Sequence, residues 1–237
     1  MEPDHQLKNS LAIIPARGGS KRIPRKNIKN FLGKPIIAYS IEAAMKAGCF
    51  AEVIVSTDDA EIAEIAKAYG AHIPFYRSDK NSDDHATTAE VITEVLDSYE
   101  SRLGKKFDSF CCIYPTAPFI TPDKLKRAKN LLEEENVTSV IPVVAFSFPI
   151  LRSLTIKEDH LKFNWPEYTL TRSQDLPSAY HDSGQFYFVN TAAFRETGNF
   201  FTPCARPIIL SELEIQDIDT ETDWKIAEMK YRIINEV

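Results

Sequence analysis

Apolar and polar positions switch between two periods along this chain. Leu11-Ala-Ile-Ile14 is a short apolar run closed by Pro15 and followed by Gly18-Gly19, which reads as a buried strand feeding a loop. Ile37, Ile41, Ala44 and Met45 then recur at helical spacing, with Pro35 suited to the first turn and Gly48 as the stop. A second strand is predicted over Glu52 to Thr57. Asp58 and Glu61 offer a capping-box start to a helix with Ile62, Ile65, Ala66 and Tyr69 inward, ending at Gly70. Ala71 to Tyr76 reads as a short third strand, and Thr87 to Glu90 as another capping box heading Val91, Ile92, Val95, Leu96 and Tyr99. Phe110 to Tyr114 is a strand that runs into Pro-Thr-Ala-Pro. Thr121-Pro122 starts a helix with Leu125, Ala128, Leu131 and Leu132 on one face, and Ser139 to Val144 is a further strand.

After about Ala145 the alternation fails. Short apolar pieces, Phe146 to Ile150 and Leu161 to Trp165, are separated by Pro and polar residues until about Asp182, the pattern of an inserted arm. Regularity resumes with a strand over Gln185 to Val189, a helical turn near Ala192 to Glu196, a strand over Pro207 to Leu210, and a last helix. Thr220 caps that helix, Asp223 sits in its first turn, and Trp224, Ala227, Tyr231 and Ile234 face the core. Strands alternating with helices predict an α/β fold with a mainly parallel sheet covered on both faces, where ligands gather at the carboxyl ends of the strands.

Length and composition add bounds. A chain of 237 residues with 43% hydrophobic and 26% charged positions suits one domain carrying an insertion. Val140 to Phe146 is too short to span a bilayer, and Met1 to Ser10 is too polar for a signal peptide. Cys49, Cys111, Cys112 and Cys204 form no C-x-x-C pair and mostly lie in apolar runs, so reduced thiols and a cytoplasmic setting are expected. Charge distribution says more than its sum of −6: residues 5–41 contain no acid and hold eight cations, leaving −14 for the rest. An acidic protein that concentrates cations in one stretch is building a local anion site rather than a nucleic-acid surface.

The loop after the first strand, from Pro15 to Asn27, is that candidate site. Gly18 and Gly19 let backbone N–H groups near an anion, and Arg17, Lys21 and Lys26 can neutralise it. Neither G-x-x-x-x-G-K-[ST] nor G-x-G-x-x-G is present, which argues against a P-loop ATPase or a dinucleotide dehydrogenase. A solvated basic loop is the plainer alternative. The second feature is Gln216-Asp-Ile-Asp219. In an extended segment Asp217 and Asp219 share a face while Ile218 turns inward, giving two hard oxygen donors of the kind Mg²⁺ takes beside phosphate oxygens. Asp219 could equally be only the approach to the Thr220 cap. Together, a cationic loop and paired acids suit metal-assisted phosphoryl or nucleotidyl transfer.

Ile13 to Asn27 (IIPARGGSKRIPRKN), Ser56 to Asp59 (STDD), Tyr114 to Phe119 (YPTAPF) and Asp217 to Trp224 (DIDTETDW) resemble the CMP-sialic acid synthetase family, over about residues 10–234. The resemblance implies a three-layer αβα nucleotidyltransferase domain over 10–237, with a flexible tail at 1–9 and a dimerisation arm over about 145–182. It also implies a reaction: CTP and a nine-carbon nonulosonic acid give a CMP-sugar and pyrophosphate, with Mg²⁺ as cofactor, in a homodimer that needs neither nucleic acid nor membrane. Catalysis then falls to Arg17, Lys21, Asp217 and Asp219, and the metal to the two aspartates. The nucleotide falls to Ala16, Arg17, Gly18, Gly19, Ser20, Lys21, Lys26, Asn27 and Arg77, and the sugar to Tyr114 and Gln185 with Arg152, Arg172 and His181, which the arm carries into the neighbouring subunit's site. Asp58 and Asp59 are assigned no catalytic role, since Asp58 is taken as a helix cap.

Family members acting on sialic acid usually show Gln-Pro-Thr-Ser-Pro-Leu-Arg where this chain has Tyr114-Pro-Thr-Ala-Pro-Phe-Ile120. Losing a polar reader and an arginine favours a deoxygenated sugar acid, and the resemblance is closer to the branch acting on pseudaminic acid. The alternatives are CMP-N-acetylneuraminate or CMP-Kdo synthesis and, in a different class, a non-catalytic nucleotide- or RNA-binding module.

Overall fold

The computed structural model describes residues 9–83 and 86–236. The tail expected at 1–9 lies outside the described residues except for Asn9. In chain order the elements are β1 (Ser10–Pro15), a short hairpin of β2 (Asn30–Phe31) and β3 (Lys34–Pro35), α1 (Ile36–Ala47), β4 (Glu52–Ser56), α2 (Ala60–Ala68), α3 (Thr88–Leu103), β5 (Ser109–Ile113), α4 (Pro122–Leu132) and β6 (Ser139–Ala145). There follow β7 (Leu154–Lys157), β8 (His160–Phe163), β9 (Tyr180–Asp182), β10 (Phe186–Asn190), α5 (Thr191–Thr197), β11 (Ala205–Leu210) and α6 (Glu221–Asn235).

The central sheet runs β4-β1-β5-β10-β6-β11, with β9 also pairing β6. β1 is parallel to both β4 and β5, and β11 is parallel to β6, whereas β10 is antiparallel to β5 and β6. Burial explains the run of apolar residues in β1. Ala12 and Ile14 enter one core with α1 and α4, while Leu11 and Ile13 enter a second core with α3 on the other face. A third, smaller cluster joins Ile23, Phe31, Ile36, Tyr39, Phe119, Ile218, Trp224 and Ala227, and so fastens the loop after β1 to the segment before α6.

Most expected elements are present, including the Thr87–Glu90 and Thr220–Asp223 capping boxes and the Thr121 cap of α4. Residues 71–76 form no strand. One bridge, Ile54 to His72, is made, and Pro74 then lacks the N–H that would extend a parallel ladder. The cap of α2 is Asp59, whose carboxylate accepts from the Ile62 N–H at 3.0 Å; Asp58 is free for another role. Pro35 stands at the N-cap of α1, not inside its first turn. Met45 and Ile234 are exposed, because each lies on the outer flank of a helix that only one side covers. Between β6 and β9 the chain leaves the sheet to form the β7–β8 hairpin and short single turns, with Phe148, Ile156, Leu161 and Leu170 exposed.

Candidate active site

The loop after β1 is braced from several sides. The Ala16 N–H donates to the Ser56 carbonyl at 2.9 Å, and the buried Asn27 amide donates to the Arg17 carbonyl at 2.9 Å. The Gly18 N–H, expected to face an anion, donates instead to the Asp58 carboxylate at 3.1 Å. Gly18 is needed for a different reason: a Cβ there would lie 2.6 Å from Asp59 Oδ2, whereas one on Gly19 would meet nothing within 4 Å. Arg25, with φ of 54°, forks onto Asp59 and also reaches Glu61. That guanidinium holds the Asp59 carboxyl down at about 2, below the usual carboxylate range. Arg25 therefore acts as a strut for the loop.

The acids meet this loop. Residues 215–219 form no regular element, and Ile218 is buried in the third cluster, while Asp217 is exposed and Asp219 half-buried. Arg22 pairs with Asp219 at 2.8 Å. Lys26 Nζ donates to the Ile218 carbonyl at 2.6 Å and stands 3.6 Å from Asp219. Among the described residues no group of three or more His, Cys, Asp and Glu is arranged for a metal, so any ion here would take its remaining ligands from phosphate or water.

Two cavities of about 420 Å³ each open beside the carboxyl ends of β1 and β5 and share Lys26, Tyr114 and Thr116. The first is lined by Arg17, Ser20, Lys21, Arg22, Asn27 and Arg77, with Thr88 and Val91 from α3. Arg77 is buried against the Ser56 carbonyl at 2.5 Å, and that burial lowers its pKa. Arg17 donates to the Asp83 carbonyl at 3.0 Å. The second cavity is lined by Asp182, Ser183, Gln185, Tyr187, Gln216, Asp217 and Asp219. Tyr114 divides the two: its N–H donates to the Gln185 carbonyl at 2.9 Å, and burial pushes its phenol pKa up.

Arg152, Arg172 and His181, expected to reach a neighbouring subunit's site, lie apart from both cavities of their own chain. Arg152 donates to Ser173 at 3.3 Å, Arg172 is paired with Asp175 at 2.7 Å, and His181 contacts the Asp182 carbonyl at 2.9 Å and packs on Phe146. Sequence reasoning missed Thr88, Thr116, Asp182, Ser183 and Tyr187. The Asp182-Ser-Gly184 turn was the available signal, since Gly184 adopts φ of 63° and its N–H donates to Asp182 at 2.9 Å.

A mixed, mostly parallel α/β sheet whose first loop gathers cations against paired acids is the layout of a nucleotidyltransferase. Residues 11–221 match the family described as Cytidylyltransferase. The chain belongs to that family. It is 42% identical to a pseudaminic acid cytidylyltransferase of Campylobacter jejuni over 231 residues, covering 97% of this chain and 99% of the relative. It is 33% identical to a CMP-N,N'-diacetyllegionaminic acid synthase of Legionella pneumophila over 227 residues, covering 92% and 94%. In fold it is similar to the structure of CMP:2-keto-3-deoxy-manno-octonic acid synthetase complexed with CTP, with a TM-score of 0.68 at 16% identity over 97% of this chain and 100% of that one.

Proposed function

We propose that this cytidylyltransferase transfers CMP from CTP to the anomeric hydroxyl of pseudaminic acid and releases pyrophosphate. The observation that carries the reading is the contact of Arg22 and Lys26 with Asp219 at the junction of two cavities. The first cavity takes the nucleotide: Arg17, Lys21 and Arg22 spread the triphosphate charge, and Asn27 keeps the loop in shape. The second takes the sugar acid, with Tyr114 in the dividing wall where its hydroxyl can approach the α-phosphorus in line. Asp217 and Asp219 are the donors for Mg²⁺, which when bound supplies charge neutralisation at the phosphate oxygens. Asp217 lines the second cavity and is one group within the site that can accept the attacking hydroxyl's proton. The exposed apolar residues of the 145–182 region support a homodimer, with Leu170 96% exposed in the single chain. The setting we infer is the cytoplasm, with no nucleic-acid partner.

Pyrophosphate release from CTP and Mg²⁺, measured across a panel of sugar acids, tests this. Pseudaminic acid should turn over fastest, Asp217→Asn should lose activity by orders of magnitude, and sedimentation should give a dimer. Fast turnover of N-acetylneuraminate or Kdo with none of pseudaminic acid refutes the substrate. Unchanged function in Asp217→Asn would favour a non-catalytic nucleotide-binding module.

A further inference from the structure

Two residues that line the second cavity each carry a buried polar atom that the fold itself leaves without a partner. Ser183 is 6% exposed and Gln185 3% exposed, and Ser183 Oγ and Gln185 Oε1 each lack a hydrogen-bond partner. The orientation of the Gln185 amide is forced by chemistry. Its nitrogen donates to the Glu214 carbonyl, which can only accept, so the amide oxygen must be the atom turned away. Ser183 is fixed by its own N–H, which donates to the Pro142 carbonyl of β6 at 3.1 Å, and Gly184 at φ of 63° carries the chain between the two residues. Asp182, in the same turn and lining the same cavity, adds a carboxylate that already accepts from Gly184 and Tyr187.

A buried acceptor without a donor costs stability, so a turn that keeps two such atoms beside a ligand cavity is shaped for a donor that arrives with the ligand. Gln185 Oε1 can only accept. Ser183 Oγ can accept as well, and the carboxylate beside them discourages an anionic group. A neutral donor meets these conditions, and a secondary amide N–H meets them best, because unlike a sugar hydroxyl it sets no lone pair of the donor atom against the Asp182 carboxylate. A substrate carboxylate does not, and belongs at the cationic side of the cleft, near Lys26.

We infer that Ser183 and Gln185 are specificity-determining residues that accept hydrogen bonds from an acylamino group, so that the site selects sugar acids bearing amide substituents. The inference rests on the reading of the second cavity as the sugar compartment.

The test pairs protein variants with ligand variants. Wild type, Ser183→Ala and Gln185→Leu are assayed with CTP, Mg²⁺ and either pseudaminic acid or analogues in which each acetamido group in turn is replaced by hydrogen. For one of these analogues wild type should lose roughly 10–100-fold in kcat/KM, the effect of deleting a ligand group that a buried acceptor needs. The variants should raise the KM for the parent sugar by about tenfold, leave the KM for CTP unchanged, and lose their preference for the parent over that same analogue. Ser183→Ala removes an unpaired hydroxyl and should melt no lower than wild type, so it carries the test even if Gln185→Leu fails to fold. Full discrimination retained in Ser183→Ala, or in a folded Gln185→Leu, for every analogue overturns the assignment to that residue, and retention in both overturns the inference. Absence of turnover by wild type with any sugar acid overturns the reading of the site itself.

Discussion

Gly18→Ala should damage this protein through a residue that never touches substrate. The added Cβ would stand 2.6 Å from Asp59 Oδ2, 3.1 Å from its Cβ and 3.2 Å from its Cγ. Asp59 cannot swing away cheaply, because it caps α2 through the Ile62 N–H and receives the Arg25 fork. Displacing it forfeits a cap of about 0.5–2 kcal/mol. It also forfeits an ion pair whose strength shows in a carboxyl pKa moved from 3.8 to about 2, or about 2 kcal/mol. The two terms overlap in one side chain, so a net loss of about 2–3 kcal/mol is expected, a fall in Tm of roughly 4–12 °C for a chain of this size. The KM for CTP should rise too, since Gly18 lies within the cationic loop. Thermal unfolding and initial-rate kinetics measure both. Asp59→Ala removes Oδ2 and Cγ and leaves only the Cβ at 3.1 Å, so the double variant should lose far less relative to Asp59→Ala than Gly18→Ala loses relative to wild type, and Gly19→Ala, which meets nothing within 4 Å, should leave Tm nearly unchanged. A Gly18→Ala protein with unchanged Tm, or strict additivity with Asp59→Ala, would refute this account.

Acid should loosen this loop and, separately, the turn at Ser211–Glu214. Asp59 and Glu214 both titrate at about 2 when folded, Asp59 through Arg25, and Glu214 because hydrogen bonds from Lys124 and Ser211 outweigh the opposing effect of burial. A depressed folded pKa contributes stability that is complete above the unfolded carboxylate value near 4 and is lost as pH falls from there toward 2. Urea midpoints should therefore drop steeply across that window, with Asp59→Asn flattening part of the slope. Trp224→Ala should cost about 3–5 kcal/mol, because it empties the centre of the third cluster. Activity in that variant should fall further than partial unfolding explains, since Ile218 and Ile23 lose their common support; a fully active, merely less stable protein would count against that link.

The architecture was legible wherever periodicity was long and capping residues unambiguous. Thr87, Thr121 and Thr220 announce their helices, and the uninterrupted apolar character of β1 announces a strand buried on both faces. Adjacent acids were harder. Asp58 and Asp59 are both plausible caps, and only tertiary packing gives the helix to Asp59 and the Gly18 N–H to Asp58. Within the site, the charged residues near 17–27 and 217–219 stood out because charge clusters are visible in one dimension. Ser183 and Tyr187 did not, because their role comes from a cavity wall assembled by β5, β10 and the segment before α6. Arg172, in the arm, pairs with Asp175 at 2.7 Å on the surface of its own chain.

The third cluster has a consequence for biosynthesis. Ile23 leaves the ribosome long before Ile218, Trp224 and Ala227, yet they share one small pocket of oil. Until α6 docks, Arg22 and Lys26 lack Asp219 and the second cavity lacks the wall made by residues 216–219. A nascent chain that has not yet made α6 can thus form its sheet while the junction of the two cavities is still unbuilt.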